Sequence, residues 1–279
     1  MKTIQTFQEL KERVISHSQS YRIVAVKPDD EASKAALQRV KDERLAEVIT
    51  VDNEVPETAA QEAVALVRNG QGDVLMKGLI GTDQVLRAIL NKECGLLPPG
   101  RVLTHISAFE MPNYSKMLFV TDVAVIPYPT QEQRIEQIRY ATDICRHMGI
   151  SQPRVALIHC AEHGGKQFPF VDGYADIKRM AEAGDFGPCL VDGPMDVKTA
   201  CSAEALRIKH MTSPLEGESD ILVMPDIEAG NTFYKAMTLF TPAKSAGLLV
   251  GATAPVVIPS RGDDATAKFN SILFALSSL

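Results

Sequence analysis

The chain has 279 residues, 45% of them hydrophobic, and a formal net charge of −6 at pH 7. A chain of this length and composition forms one large or two modest domains with a hydrophobic core, and it is too apolar to be disordered. The negative charge argues against a general attraction to nucleic acid or acidic membranes, so neither is expected as a partner.

The first predicted element is an amphipathic helix within residues 1–16, where charges interleave with Phe7, Leu10 and Val14. This pattern is unlike a signal peptide, and no apolar stretch reaches the length of a membrane span. The five cysteines form no CxxC pair, which argues against a disulfide framework or a structural zinc site. These features together predict a cytoplasmic protein.

Strand-like runs then alternate with segments of helical periodicity. The strand-like and apolar runs lie at 22–26, 47–51, 74–76, 117–126, 154–159, 190–191, 221–224 and 247–258. The helical patterns lie at 38–45, 58–69, 82–91, 132–148, 175–183, 231–241 and after residue 264. This alternation predicts βαβ units and a mostly parallel sheet, and therefore the α/β class. Ligands of such sheets bind beyond the carboxyl ends of the strands, so the loops at these ends are the candidate sites.

Lys77 and Gly78 end the strand at 74–76, and Thr82 is a good N-cap for the helix that contains Arg87. Gly78 permits a close approach of the backbone to a ligand, and Lys77 has the charge to bind a phosphate. No Walker A motif is present, so spacing alone favours an ordinary strand–turn–helix with a solvated lysine.

Three further loops follow strands. The stretch "LIHCAEHGGK" (157–166) has metal-ligating residue types but no zinc-site spacing, which favours a loop lining a cleft. Asp192 lies in a turn that either holds a substrate group or only reverses the chain. Near 225–231, Asn231 caps a helix or binds a ligand, whereas Asp226 and Glu228 are interpreted as helix-start charges.

The last loop, "SRGDD" at 260–264, delivers an arginine to the start of the final helix. Backbone N–H groups at a helix start favour anions, and Arg261 strengthens that preference. The alternative is structural: Asp263 or Asp264 caps the helix, and Arg261 pairs with one of them.

In combination these segments resemble the phosphate acetyl/butyryltransferase family from about Asp73 to the C-terminus. The stretches that carry the resemblance are "DVLMKGLIGTDQVLRAIL", "VLTHISAFEMPNYSKMLFVTDVAVIPYPT", "VDGPMDVKTA", "SDILVMPDIEAGNTFYKAM" and "GATAPVVIPSRGDDATAKFNSILFAL". The "LMKG" and "VDGP" forms resemble the butyryl branch more than the acetyl branch.

The resemblance implies a two-domain α/β fold with a parallel or mixed sheet, similar to isocitrate and isopropylmalate dehydrogenases, with the active site in an interdomain cleft. The expected first domain is discontinuous and comprises 1–130 and 248–279. The expected second domain, 131–247, forms a homodimer. The implied reaction converts a short-chain acyl-CoA and phosphate into acyl phosphate and CoA, with butyryl or branched acyl groups favoured over acetyl. CoA and phosphate are substrates, and no tightly bound cofactor and no metal are expected.

By the same resemblance, Arg261 matches the phosphate-contacting arginine and Ser260 contacts the reacting centre. Acetyl-type members place an aspartate, the proposed thiol base, where this chain has Ala267. Asp263 and Asp264 lie nearer to Ser260 and are the alternatives for this base, with Asp263 taken as the catalytic candidate. The third alternative is that no carboxylate base is used, because a thiol with a pKa near 8.5 needs only modest activation. The substrate-binding candidates are Lys77, Gly78, Thr82, Arg87, Asp192 and Asn231.

Two other functions remain open at this point. One is a metal- and nicotinamide-dependent decarboxylating dehydrogenase of the same fold, although no DxxxD pair occurs in the expected context. The other is a non-enzymatic protein that binds CoA or acyl phosphate, for which the absence of a carboxylate at Ala267 is the best support.

Overall fold

A computed structural model describes residues 2–17 and 20–279. The helices are α1 (Phe7–Ser16), α2 (Glu31–Asp42), α3 (Pro56–Arg68), α4 (Thr82–Ile89), α5 (Gln131–His147), α6 (Asp172–Glu182), α7 (Val197–Cys201), α8 (Ala203–Ile208), α9 (Ile227–Phe240) and α10 (Ala265–Ser277). The strands are β1 (Tyr21–Val26), β2 (Ala46–Val51), β3 (Val74–Lys77), β4 (Thr104–Met111), β5 (Tyr114–Thr121), β6 (Arg154–Ile158), β7 (Leu190–Met195), β8 (Ile221–Val223), β9 (Lys244–Val250) and β10 (Val256–Val257). A 3₁₀ turn covers Pro169–Val171. The predicted mixed α/β fold is confirmed.

Residue contacts divide the chain into two compact units. We call Thr6–Leu103 with Lys244–Leu279 the terminal unit, and residues 104–243 with the segment before Thr6 the central unit. Residues 104–130, which the sequence-based boundaries assign to the first domain, belong to the central unit by their residue contacts. The domain boundaries themselves stay a prediction.

The terminal unit has the strand order β2-β1-β3-β10-β9. Strands β2, β1, β3 and β10 run parallel, and β9 pairs with β10 in the antiparallel sense. Helix α10 is buried along almost its whole length and packs on α1, α2 and β9. The apolar stripe recognised after residue 264 is thus the centre of this unit's core.

The central unit has the strand order β4-β5-β8-β6-β7. Only the β4–β5 pair is antiparallel, and β5, β8, β6 and β7 run parallel. Its core joins alternate residues of β4 and β5 with the apolar faces of β6, β8 and α9, including Phe109, Val120, Leu222 and Tyr234.

Several predicted element bounds are wrong, each for a local reason. Helix α2 begins at Glu31 rather than near residue 38, because Asp30 accepts the Ser33 N–H as its N-cap. The run 247–258 is two antiparallel strands, separated at Gly251, whose φ of 100° a strand does not allow. Strand β4 and helices α7 and α8 have no counterpart among the predicted elements.

Candidate functional site

The carboxyl ends of three neighbouring parallel strands bring the main candidate loops together in the terminal unit. Val26 at the end of β1 pairs in register with Lys77 at the end of β3. Val257 at the end of β10 pairs with Met76 of β3. Because parallel strands end at the same edge, the loops that follow them start side by side. This strand edge therefore joins Asp30, Lys77 and the Ser260 turn.

Lys77 is a buried cation at this edge, with only 2% of the residue exposed. Its Nζ donates a hydrogen bond to the carbonyl oxygen of Gly78 at 3.2 Å, and it pairs with no carboxylate within the described part of the chain. Desolvation of an ammonium group is costly unless its donors are satisfied. The sequence-based alternative of a solvated lysine is therefore wrong.

Burial and the neighbouring charges both affect the pKa of Lys77. Burial lowers the pKa of Lys77, and the positive charge of Arg261 lowers it further. Lys268 acts in the same direction, whereas the carboxylates of Asp30 and Asp263 act to raise the pKa. These named groups comprise three cations and two carboxylates, so one positive charge at this edge has no counter-charge among them.

Gly78 lets the loop after β3 approach the loop after β1. Its N–H donates to the Val26 carbonyl oxygen at 2.8 Å. A Cβ at residue 78 would lie 2.2 Å from the Lys27 carbonyl oxygen and 2.5 Å from Pro28 Cα. Because these are backbone atoms that cannot move aside, only glycine fits here. This close approach gives Gly78 a structural role in forming the strand edge.

The SRGDD segment is a tight turn followed by a capped helix. The Ser260 N–H donates to Asp263 Oδ2 at 2.7 Å, and the Asp263 N–H donates to the Ser260 carbonyl oxygen at 3.1 Å. Asp264 is the N-cap of α10, and its Oδ1 accepts the Ala267 N–H at 2.8 Å. The two aspartates thus have separate roles: Asp264 caps the helix, and Asp263 closes the turn.

Arg261 lies at the tip of this turn and is exposed. Its guanidinium forms no hydrogen bond and no ion pair within the residues the structure describes. The structural alternative, in which Arg261 pairs with Asp263 or Asp264, is therefore wrong. Its fork of donors is available to an anion, and a guanidinium binds phosphate oxygens in a bidentate way.

Sequence analysis missed two residues of this edge, Lys268 and Asp30. Lys268 is 3% exposed, and its Nζ donates to Asp30 Oδ1 at 2.5 Å and to Ser33 Oγ at 3.0 Å. Burial alone would raise the pKa of Asp30, but the hydrogen bonds from Lys268 and Ser33 outweigh it and lower the pKa to about 2. A single lysine on the apolar face that begins at Phe269 was the available signal, since such a residue needs a buried partner.

Thr82 and Arg87 lie on α4 of the same unit, and both are exposed. The N-cap of α4 is Gly81 rather than Thr82, because the Gln84 side chain accepts the Gly81 N–H at 3.0 Å and Thr82 is already helical. The Arg87 guanidinium lies 3.6 Å from the Asp83 carboxylate in an exposed pair. Such pairs contribute little to stability.

Asp192 belongs to the central unit, where it lies on β7. Its Oδ1 accepts a hydrogen bond from Lys178 Nζ at 2.7 Å and another from the Gly193 N–H at 2.9 Å. Gly193 has a φ of 146° and would place a Cβ 2.5 Å from the Leu157 carbonyl oxygen. The glycine is therefore required by close packing between β7 and β6.

Asn231 also belongs to the central unit, but it does not cap a helix. Helix α9 begins earlier than predicted because Asp226 is its N-cap and accepts the Ala229 N–H at 2.8 Å. This confirms Asp226 and Glu228 as helix-start charges. The Asn231 amide donates to the Val123 carbonyl oxygen at 2.9 Å from the second turn of the helix.

Two residues of the loop at 159–166 have partners within the protein. The His159 ring is buried against Phe168, with ring centroids 4.7 Å apart, and Glu162 forms an ion pair with Lys209. Among the described residues, no group of three or more His, Cys, Asp or Glu side chains is arranged to hold a metal ion. Nor does that part of the chain contain a helix long and apolar enough to cross a membrane.

The central unit contains a second buried cation, Arg134, which is 1% exposed. Its guanidinium donates to the Met224 carbonyl oxygen at 3.1 Å and to the Pro225 carbonyl oxygen at 3.2 Å. It also lies 5.6 Å from the centre of the Phe170 ring. Burial lowers the pKa of Arg134. This residue fixes the backbone between β8 and α9, which precedes Asn231.

Of the sequence-predicted site residues, the terminal unit brings together Lys77, Gly78, Ser260, Arg261 and Asp263 at one strand edge. Thr82 and Arg87 follow from the β3–α4 loop of that edge. Asp192 and Asn231 lie in the central unit. The fold and these residues together define a mixed α/β protein in which the cations Lys77, Arg261 and Lys268 cluster where parallel strands end.

A comparison with protein families identifies the chain further. The family described as "Phosphate acetyl/butaryl transferase" matches residues 5–276. The chain therefore belongs to this family and is an acyltransferase of the phosphotransacylase type, which confirms the resemblance and its acyltransferase prediction.

Individual relatives agree with this assignment. Phosphate butyryltransferase of Clostridium acetobutylicum is 37% identical over 252 residues, which cover 90% of this chain and 83% of the relative. Phosphate acetyltransferase of Thermotoga maritima is 36% identical over 224 residues, covering 80% of this chain and 75% of the relative. Both branches of the family are thus represented at similar identity.

Solved structures extend the comparison to the fold. A branched-chain phosphotransacylase from Enterococcus faecalis V583 has a TM-score of 0.81 and 30% identity, over 92% of this chain and 98% of that one. A phosphotransacetylase from Streptococcus pyogenes has the same TM-score, 0.81, at 19% identity over 98% of each chain. The second likeness concerns the fold alone.

Proposed function

We propose that this protein interconverts a short-chain acyl-CoA and phosphate with acyl phosphate and CoA, and that it prefers butyryl or branched acyl groups to acetyl. The family membership supports the reaction. The names of the Clostridium acetobutylicum and Enterococcus faecalis relatives, a butyryltransferase and a branched-chain phosphotransacylase, support the acyl preference. The observation that carries the proposal is the buried Lys77 cation beside the exposed Arg261 turn.

Phosphate, free or as acyl phosphate, binds to Arg261 and Lys77 in this proposal. Arg261 presents a bidentate fork without a protein partner among the described residues. Lys77 has donors left over after its single bond to Gly78, and it lies where water is largely excluded. A charge interaction is stronger at such a site than in bulk water. An anion there neutralises the one positive charge that is left over among Lys77, Arg261, Lys268, Asp30 and Asp263.

Acyl transfer then requires positioning and charge stabilisation in a ternary complex, and a base that accepts the thiol proton. The CoA sulfur attacks the acyl phosphate carbonyl, and the carbonyl oxygen becomes a tetrahedral oxyanion. When this intermediate collapses, a carbon–sulfur bond remains, the carbon–oxygen bond to phosphate breaks, and phosphate leaves with the electron pair. Arg261 and Lys77 stabilise the charge on the departing phosphate. Ser260, half-buried beside Arg261, contacts the reacting centre through its hydroxyl.

The thiol proton goes to a base, for which Asp263 is the proposed group. Its Oδ2 already accepts the Ser260 N–H, and a carboxylate has other lone pairs with which to accept a proton. Asp263→Asn retains the acceptor that closes the turn but removes the basic oxygen. We expect this variant to lose turnover at neutral pH and to regain part of it as the pH approaches the thiol pKa near 8.5.

We propose substrate-binding roles for the remaining candidates, each within its own unit. In the terminal unit these are Gly78, Thr82 and Arg87, which would contact CoA or phosphate, and in the central unit they are Asp192 and Asn231. We also propose the predicted two-domain organisation, with 131–247 forming a homodimer, and a cytoplasmic location. No tightly bound cofactor is required by the reaction as written.

A pair of arginine variants tests the phosphate role. Arg261→Ala should fold like the wild type, because the side chain is exposed and has no partner among the described residues, but should lower kcat/KM about 100-fold or more. Arg207→Ala, which removes an exposed arginine 3.8 Å from Glu204, is the matched control. CoA release from butyryl-CoA is followed while phosphate is varied. Equal activity of Arg261→Ala and Arg207→Ala would contradict the proposal.

A further inference from the structure

The ion pair between the buried Lys268 and the partly exposed Asp30 joins two helix starts that are far apart in sequence. Lys268 lies in the first turn of α10, and Asp30 is the N-cap of α2, separated from it by 238 positions. Ser33 Oγ accepts a second hydrogen bond from the same ammonium group. The start of α10 is thereby fixed to the loop that follows β1.

A continuous set of bonds connects this ion pair to Arg261. The Lys268 N–H donates to the Asp264 carbonyl oxygen at 3.1 Å in the first turn of α10. Asp264 directly follows Asp263, whose bonds with Ser260 close the turn that carries Arg261. A shift of the helix start would therefore move the turn. On the other side, Asp30 and Lys268 both lie within electrostatic reach of Lys77.

Stability alone does not account for an ion pair of a buried lysine at this position. Desolvation of Lys268, whose side chain is 4% exposed, offsets much of its attraction to Asp30, and a hydrophobic side chain of similar volume is often as stable at a buried position. The positions of α10 from Phe269 to Ser277 are buried, and all of them except Asn270 are apolar or small, so a hydrophobic contact with α2 was available. The pair instead supplies directional bonds and a carboxylate next to a buried lysine.

We propose that Lys268 and Asp30 are positioning residues for phosphate: their ion pair holds the Arg261 turn at the strand edge so that Arg261 and Lys77 bind the same phosphate group. This inference rests on the proposed function. It adds two residues, Lys268 and Asp30, that support phosphate binding without contacting the substrate. Loss of the pair should weaken phosphate binding while leaving CoA binding unchanged.

Two variants break the pair with little change of volume. Lys268→Met keeps a long aliphatic side chain, and Asp30→Asn keeps the oxygen that caps α2. Each should raise the KM for phosphate about tenfold or more through misplacement of Arg261, with the KM for butyryl-CoA within about twofold of wild type. The double variant should resemble the single variants, because the two residues act as a unit. Lys34→Met, which removes the exposed Lys34–Glu31 pair of α2, is the matched control.

The phosphate-induced rise in Tm provides a second readout that does not depend on turnover. It should be present in the wild type and in Lys34→Met and should be reduced in both pair variants. If Lys268→Met does not fold, Asp30→Asn carries the same test.

An unchanged phosphate KM and an unchanged phosphate-induced rise in Tm in a folded pair variant would overturn the inference. So would a parallel fall in all kinetic parameters that follows only the folded fraction. A wild-type protein that responds to phosphate in Tm but releases no CoA would contradict the proposed reaction, while the Tm comparison would still decide the role of the pair.

Discussion

Replacing Lys77 by methionine should make the protein more stable and less active. In the wild type, Lys77 is 2% exposed and donates one hydrogen bond, to the Gly78 carbonyl oxygen. Desolvation of the buried ammonium group costs several kcal/mol, and a hydrogen bond from a charged group offsets about 1.5–3 kcal/mol of this. Methionine fills a similar volume without this penalty. We expect the free energy of unfolding of Lys77→Met to rise by about 1–3 kcal/mol in the absence of substrate.

The same substitution removes a cation from the proposed phosphate site. A charged hydrogen bond to phosphate is worth about 1.5–3 kcal/mol, so kcat/KM for phosphate should fall about 10- to 100-fold. The phosphate-induced rise in Tm should shrink as well, because stabilisation by a ligand depends on its affinity for the folded state. Lys77 is thus expected to lower the stability of the protein and to raise its activity.

The burial of the Lys77 charge should also make the free energy of unfolding depend on pH. The pKa of Lys77 is lowered in the folded state, so the unfolded state binds more protons between that lowered pKa and the usual lysine value of 10.5. Wild-type stability should therefore rise with pH across that window relative to Lys77→Met. Thermal unfolding of both proteins over a pH series measures this difference.

Lys34→Met is the control for loss of one positive charge at an exposed position. A Lys77→Met variant that is less stable than the wild type and has unchanged phosphate kinetics would contradict the phosphate-binding role of Lys77. Lys77 would then be a structural cation whose charge the fold requires.

Other groups yield separate predictions. Asp264→Ala removes the N-cap of α10 and should lower the free energy of unfolding by about 1 kcal/mol, measured by urea unfolding; no change would show that the cap is unimportant. The Asp30 carboxylate, with its pKa lowered from 3.8 to about 2, should contribute about 2 kcal/mol above pH 4 that is lost as the pH falls towards 2. Acid unfolding of Lys268→Met should lack most of this dependence, and an identical acid limb in both proteins would contradict it. Arg134→Met leaves backbone carbonyls of the β8–α9 segment without their donor and should cost about 2–4 kcal/mol in urea unfolding, whereas wild-type stability would contradict that role.

Local sequence patterns predict much of the terminal unit. The strand–helix alternation follows from side-chain periodicity, and the start of α10 follows from the aspartates that precede an apolar helical stripe. The parallel edge then places Lys77 near Arg261, because loops after neighbouring parallel strands meet. Each of these inferences depends on residues close together in sequence or on one topological rule.

The features that sequence reasoning missed depend on distant contacts. Lys268 and Asp30 are 238 positions apart and come together only in the folded chain, so the local sequence around either residue does not indicate its partner. The helical pattern predicts a helix from residue 231, whereas α9 begins at Ile227 and includes Gly230. This glycine allows close packing inside the helix, because a Cβ there would lie 2.1 Å from the Asp122 carbonyl oxygen. Strand β4 was missed because polar residues such as His105 interrupt its apolar pattern although they are buried.

A panel of acyl-CoA substrates shows whether the protein transfers acyl groups from CoA to phosphate. Acetyl-, butyryl-, isobutyryl- and isovaleryl-CoA are each incubated with the wild-type protein, and free CoA thiol is measured with and without phosphate. We expect thiol release that requires phosphate and is faster with butyryl- or branched acyl-CoA than with acetyl-CoA. Absence of phosphate-dependent thiol release with every acyl-CoA would contradict the proposed acyl transfer.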